Sequence, residues 1–327
     1  HARPLARLTP EQQRKAWRKY LAGASTPHSA EAIRQVCDEV ARTPVNTGMV
    51  RPVNGHAKAE APSVIIAPPI SWYGGKAQLA QRIVDLIPKH HCYVEVFFGS
   101  GAVFFRKPPS SVEIINDLNS EIIGLFRILR DEGQTQELQR LLKLTPYSRE
   151  EHDWCRANPQ TQDPVERARR FFVRCRQSFS GVIDEAWSHS LEENRATNMV
   201  TPIDALLQVS ERLRHVQVEN KDFRAILNTC DRAGVVVYCD PPYLHGRRRR
   251  KNAYTHTMTE ADHADLLNIV GEFSRAKVIL SGYHHPLYDQ QLKRWSRFEI
   301  PVFEYATTPT AGVRHKGRRT ECLWTNF

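Results

Sequence analysis

Beyond residue 70 the apolar positions fall into two rhythms. Leu79, Ile83, Leu86 and Ile87 recur at helical spacing behind the turn residues of SWYGGK and stop at Pro88, which predicts an amphipathic helix. HCYVEVFFGSGAVFF reads as a short apolar strand broken by Gly99 and Gly101. VEIINDLN reads as a second strand ending in an acid, Asp117, and SEIIGLFRILRD as the helix after it. Strand, glycine loop, helix, strand, acid is the order of a doubly wound α/β sheet. Strands resume with HVQVENKDF and GVVVYCD, continue with AKVILSGY after a helix at 259–274, and finish with RFEIPVFEYA and TECLWTNF.

Two regions break this alternation. Residues 132–214 carry helical periodicity, many Arg, Gln and Glu, and few β-branched runs, so a mostly helical insertion is expected between two parts of the sheet. Residues 8–42 are also mostly helical by pattern. Thr9 is placed to cap a first helix, with Pro10 at its first position, Gln12 at capping-box spacing and Gly23 at its close; Ser29 opens a second. The expected organisation is a helical basic extension over 1–43, a linker or extended arm over 44–69, an α/β domain from 70–131 and 215–327, and the insertion at 132–214. The fold class is α/β, a doubly wound Rossmann-like sheet.

Composition adds a partner class. Lys and Arg outnumber Asp and Glu by 46 to 36 in 327 residues, a net charge of +10. Such an excess favours a polyanion through phosphate contacts and counterion release, with a basic enzyme lacking such a partner as the alternative. The seven cysteines, at 37, 92, 155, 175, 230, 239 and 322, include no CxxC pair. That argues against a disulfide framework and a zinc ribbon and makes a reducing cytoplasm the expected compartment. No apolar run is long enough to span a bilayer, and no secretory leader stands out.

The glycine loop is the first candidate for chemistry. Gly99 and Gly101 permit a tight turn and close approach to a ligand, and Asp117 lies 18 positions beyond Gly99. A nucleotide-binding fold places its ribose acid roughly 20 residues on. The G-x-G-x-x-G fingerprint is incomplete, because Phe104 stands at its third position. A glycine-poor loop suits a cofactor without a pyrophosphate, such as S-adenosylmethionine; the alternative is a turn with no ligand. The second candidate is CDPPY. Pro241 and Pro242 end the strand and hold the chain rigid just after Asp240, at the sheet edge where α/β folds bind ligands. Asp240 and the Pro241 carbonyl can each accept a hydrogen from an exocyclic amine. Tyr243 offers a flat face to an extruded base. The alternative is a strand-ending turn with a surface tyrosine.

The order WYGGK, VEVFFGSG, NDLN, KDF, CDPPY resembles the Dam-type family of DNA adenine methyltransferases over residues 70–327. YTHTMTEADH, KVILSGY and RRTECLWTNF are similar to that family as well. The resemblance implies a methyltransferase sheet, S-adenosylmethionine as cofactor with S-adenosylhomocysteine as product, no metal, and transfer of a methyl group to the N6 amine of a flipped adenine in double-stranded DNA. It implies that Trp72, Tyr73 and Lys76 lie against the cofactor. Glu95, Phe97, Gly99 and Gly101 would surround its methionine end. Asp117 would hold the ribose, with Asp222 and Phe223 near the adenine ring. Asp240, Pro241, Pro242 and Tyr243 match the catalytic tetrapeptide, with Asp240 also bordering the cofactor. The insertion corresponds to the target-recognition region, and RRFFVRCRQSFSG, with Arg174 and Arg176, stands where the family contacts DNA.

Amino methylation needs no covalent nucleophile, because the amine attacks directly. Carbon-5 cytosine methylation needs an activated thiol; no Pro-Cys pair occurs, and Cys239 reads as a buried strand residue. Arg247, Arg248, Arg249 and Arg250, with Lys316 in RHKGRR, are candidate phosphate contacts, or else a solvated loop. His256, His263, His284 and His285 fit no zinc spacing and read as loop or DNA-facing residues. Rival functions are N4-cytosine methylation, an inactive DNA-binding protein and an RNA methyltransferase. A monomer is expected, with a dimer as the alternative.

Overall fold

Seven strands form one sheet in the order β3-β2-β1-β4-β5-β7-β6. They are β1 (Cys92–Glu95), β2 (Val112–Asn116), β3 (Gln217–Glu219), β4 (Val235–Cys239), β5 (Lys277–Gly282), β6 (Ser296–Glu304) and β7 (Gly317–Thr325). This computed structural model describes residues 66–244, 257–304 and 317–327. The expected N-terminal helices, most of the linker, Arg247 to Arg250, His256 and Lys316 lie outside the described residues.

β1 to β5 pair in parallel, and β7 runs antiparallel between β5 and β6. Parallel strands need both faces covered, which is why β4 is almost wholly apolar, VVVYC, with four of its five residues buried. The chain winds outward from β1 to β2 on one side and later to β4 on the other. The carboxyl ends of β1 and β4 therefore form a topological switch point, where open α/β sheets leave a crevice.

The helices nearest that crevice are α1 (Ala80–Leu86), α2 (Ala102–Arg106) and α3 (Ser120–Ile128). Leu79 and Ile83 bury the face of α1 that the periodicity predicts. Asn119 caps α3 by accepting from the Glu121 amide at 2.9 Å. Phe98, Phe104, Phe105 and Phe126 make an aromatic cluster beneath the glycine loop, with Phe98 edge-on to Phe126 at 4.8 Å. Each such pair adds about 0.5–1.5 kcal/mol beyond its buried area, so the loop rests on a stiff base.

The segment between β2 and β3 is helical: α4 (Glu132–Leu144), α5 (Arg149–Ala157), α6 (Pro164–Gln177), α7 (Thr197–Asp204) and α8 (Leu206–Leu213). Its buried side chains, Leu138, Phe171, Phe172 and Leu206 among them, join the same apolar cluster as Ile115 and Phe126. An ion cluster strengthens the union. Buried Glu113 of β2 accepts from Lys107 at 2.6 Å and from both terminal nitrogens of Arg212 in α8. The helices thus share the core of the sheet instead of building their own. On the other side lie α9 (Phe223–Leu227), α10 (Glu260–Gly271) and α11 (Pro286–Gln291). Thr259 and Asp262 form a reciprocal capping box at the start of α10. Among the described residues no helix is long and apolar enough to cross a membrane.

Candidate active site

A cavity of about 300 Å³ opens over the carboxyl ends of β1, β2 and β4. That is at the lower end of small-molecule sites, about 300–1,000 Å³. Its wall brings together Trp72, Tyr73, Lys76, Glu95, Phe97, Gly99, Asp117, Asp222, Phe223, Asp240, Pro241 and Pro242, which the chain spreads over 171 positions (72 to 242).

The glycine loop shapes one side. Gly99 takes φ of +51°, and a Cβ there would come within 2.9 Å of the Trp72 ring. Its amide donates to Asp117 Oδ2 at 2.8 Å, while Oδ1 accepts from the Asn119 amide at 2.9 Å. Asp117 thus locks the loop through both of its carboxylate oxygens. Asn116 ties the floor together: its amide group donates to the carbonyls of Val96 and Lys221, both at 3.0 Å. Phe97 and Phe223, 5.8 Å apart, form an apolar patch in the wall, and Arg224 lies over Phe223 at 4.4 Å. Arg224 is fixed in turn by Asp262 at 2.6 Å and Asp265 at 2.7 Å.

The opposite side is charged. Lys76 is buried, with Nζ 3.0 Å from the Gly74 carbonyl, 2.9 Å from Asp240 Oδ1 and 3.4 Å from Glu321 Oε1. Tyr243 Oη lies 3.0 Å from the same Asp240 Oδ1 and makes a further close contact with Glu321 Oε1. Among the described residues both donors to Asp240 therefore land on Oδ1, which leaves Oδ2 to accept from a ligand. Burial raises the Asp240 carboxyl above its ordinary range, against the opposing pull of Lys76. Burial also raises Glu321, again opposed by Lys76, with the Asp240 charge pushing it further up. Glu95, receiving the Tyr93 hydroxyl at 2.7 Å, is pushed by burial from 4.5 to about 8.

The last shift predicts a pH dependence. A carboxyl that titrates higher folded than unfolded contributes stability that is complete below pH 4.5 and is lost as pH rises through about 8. One such group tilts stability downward by as much as about 1.4 kcal/mol per pH unit in that window. Glu95→Gln keeps the acceptor for Tyr93 and removes the titration. Urea unfolding at several pH values between 5 and 8 should give a flatter dependence for this variant. Part of the slope should persist, because the Asp240 and Glu321 shifts have the same sign.

Several sequence expectations need correction. Gly101 does not line the cavity; at φ of +72° it leads into α2, where an added Cβ would run into the rings of Phe98 and Phe105. Tyr243 does not present a free face. It is buried, with Lys76 Nζ 4.6 Å from its ring centre and Tyr283 edge-on at 4.7 Å. Arg174 and Arg176 are not surface contacts. Arg174 donates to Asp184 through two nitrogens at 2.8 Å and to Glu121 at 2.6 Å. Arg176 grips the carbonyls of Pro68 at 2.7 Å and Pro69 at 2.8 Å. His263 is not in a loop; it is buried in α10, 2.7 Å from the Tyr288 hydroxyl. Glu321 was not anticipated at all. A lone acid in an apolar terminal strand, TECLWTNF, was the available signal.

A parallel sheet with an antiparallel seventh strand, and a glycine-loop cavity facing an Asp-Pro-Pro-Tyr turn, define a Rossmann-like methyltransferase. The chain belongs to the D12 class N6 adenine-specific DNA methyltransferase family, whose family model matches residues 72–308. It is 28% identical over 282 residues to the Type II methyltransferase M1.LlaDCHI of Lactococcus lactis subsp. cremoris, covering 80% of this chain and 96% of that protein. It is 24% identical to the DNA adenine methylase of Escherichia coli, over 76% of this chain and 91% of the relative. The Type II methyltransferase M.MjaIII of Methanocaldococcus jannaschii is 26% identical over 54% of this chain and 69% of its own length. The protein is thus an adenine-specific DNA methyltransferase, and the expected N6 of adenine, not N4 of cytosine, is the position modified.

Proposed function

We propose that the cavity binds S-adenosylmethionine and that an adenine flipped from duplex DNA meets it at Asp240. The observation that carries this reading is Oδ2 of Asp240, which takes no donor among the described residues, beside a glycine-loop cavity lined by Asp117. S-adenosylmethionine, when bound, supplies an electrophilic methyl group. The cavity fits it chemically: Asp117 lines it with a carboxylate for ribose hydroxyls, Phe97 and Phe223 form an apolar patch for a purine ring, and Gly99 leaves room beside Trp72.

Asp240 Oδ2 and the Pro241 carbonyl each accept one hydrogen of the target amine. That draws the nitrogen lone pair out of conjugation with the ring and aims it at the cavity. Holding the amine in line converts an encounter into an oriented, effectively unimolecular step. Tyr243 contributes its hydroxyl to Asp240 in this arrangement, instead of a stacking face. The base must leave the duplex, since its amine is otherwise paired.

We assign target recognition to 132–214 on its position between β2 and β3 and on the basic composition of the chain. Phosphate contact is assigned to the GRRRRKN run, which begins at Gly246, after Leu244 and His245 that follow the tetrapeptide. Six described cysteines are free, which supports action in a reducing cytoplasm. Incubation with labelled S-adenosylmethionine and duplex DNA, followed by digestion to nucleosides, should place the label in N6-methyladenine. Label in N4-methylcytosine, or none at all, would refute the reading, and mapping the labelled positions gives the sequence context.

A further inference from the structure

Glu321 lies in RRTECLWTNF, a stretch to which the sequence assigned no role at the site. It reaches the tetrapeptide from β7, the antiparallel strand, where it pairs with Ile300 of β6. Its side chain is 4% exposed, against 17% for Asp240. Tyr243 Oη touches both carboxyl groups, Asp240 Oδ1 at 3.0 Å and Glu321 Oε1 more closely. A phenol has one hydrogen to donate. For that oxygen to hydrogen-bond both acids at once, one of the two carboxyls must carry a proton and donate it.

The surroundings decide which acid carries it. Lys76 Nζ is nearer Asp240, 2.9 Å against 3.4 Å, so the negative charge is better compensated there. Glu321 is the more deeply buried of the two, and an unpaired buried charge is the costlier state. Glu321 faces Lys76 from the turn before α1, Asp240 and Tyr243 from the tetrapeptide, and Tyr238 from β4, with Cys322 beside it in its own strand. Asp240 is faced in addition by Glu95 and Tyr288. Among the described residues Lys76 is the cation facing both acids, and one ammonium cannot neutralise two carboxylates.

We propose that Glu321 is a positioning residue for methyl transfer: its protonated carboxyl donates to Tyr243, whose hydroxyl then donates to Asp240 Oδ1, leaving Oδ2 anionic and aimed at the target amine. The proposal rests on the reading of Asp240 given above. It explains why Tyr243 is buried: its hydroxyl is the middle link of a chain from β7 to the reacting group. Burial, the largest cause, raises the affinity of Glu321 for its proton, with the Asp240 charge adding to it, and so favours the protonated carboxyl.

The test is the pH dependence of single-turnover methylation of duplex DNA with S-adenosylmethionine. Glu321→Ala should slow transfer about 10–100-fold, the scale of a slightly misplaced reacting group. Glu321→Gln, whose amide can donate to Tyr243 at any pH, should recover most of that loss. It should also hold its rate as pH rises, whereas the wild-type rate falls once Glu321 deprotonates. Superimposable wild-type and Glu321→Gln profiles, or Gln no better than Ala, would overturn the proposal. If Glu321→Ala does not fold, Tyr243→Phe serves instead. With the middle hydroxyl gone, Glu and Gln at 321 should give the same profile; a persisting difference refutes the chain. Asp240→Ala separates the two levels. Wild-type turnover in that variant sinks the reading of Asp240, whereas an inactive Asp240→Ala with an unaltered Glu321→Gln profile sinks only the role of Glu321.

Discussion

Asp240→Ala is expected to lower the single-turnover rate of methyl transfer by at least about 10²–10³-fold, the usual cost of deleting one preorganised polar group at a reacting centre. The amine of adenine is a poor nucleophile because its lone pair is delocalised into the ring. Among the described residues, Asp240 is the carboxylate at the sheet edge with an oxygen left over, since Lys76 and Tyr243 both use Oδ1. Removing it deletes the acceptor, and water in its place has no fixed orientation. The fold should survive, because Lys76 retains Glu321 as a partner at 3.4 Å and the Gly74 carbonyl at 3.0 Å. Duplex binding should change little, since phosphate contacts supply most affinity. Rapid-quench kinetics with a DNA titration on the same preparation check both halves. Wild-type turnover, or turnover lost only in proportion to DNA affinity, contradicts the assignment.

The parts of the site legible in the sequence are those whose chemistry is local. Two glycines flanking one residue, an acid one strand later and an acid before two prolines each impose a backbone geometry on their own neighbours. Their meeting at one sheet edge follows from right-handed crossovers. The illegible parts depend on distant contacts. Nothing local in TECLWTNF tells that β7 inserts antiparallel between β5 and β6, yet that placement carries Glu321 to Tyr243, 78 positions away. The resemblance placed Arg174 and Arg176 at the DNA; their partners, Asp184, Glu121 and the carbonyls of Pro68 and Pro69, come from other elements and leave no local trace. Helical periodicity located 132–214, but it says only that an apolar face is buried. That the burying partner is the sheet core, through Phe171 and Phe172, is a tertiary fact.

Gly101→Ala should be the most destabilising single-methyl change in the glycine loop. The position combines two penalties. Its φ of +72° is left-handed, which costs an L side chain about 1–3 kcal/mol. A Cβ would also stand 2.4 Å from Phe98 Cζ and 2.9 Å from Phe105 Cε2. Neither ring can yield freely, because Phe98 is wedged edge-on against Phe104 and Phe126, and overpacking of this kind costs about 1–3 kcal/mol. Together they predict a loss of about 2–5 kcal/mol, or roughly 5–15 °C in melting temperature for a domain of this size. Gly124→Ala supplies the contrast. It lies inside α3, where an added methyl meets nothing within 4 Å, so it should be neutral or stabilising by up to about 1 kcal/mol. Thermal unfolding followed by circular dichroism compares the two directly. A Gly101→Ala melting point within about 2 °C of wild type would mean that the Phe98 cluster yields, and that the loop is set by Asp117 alone.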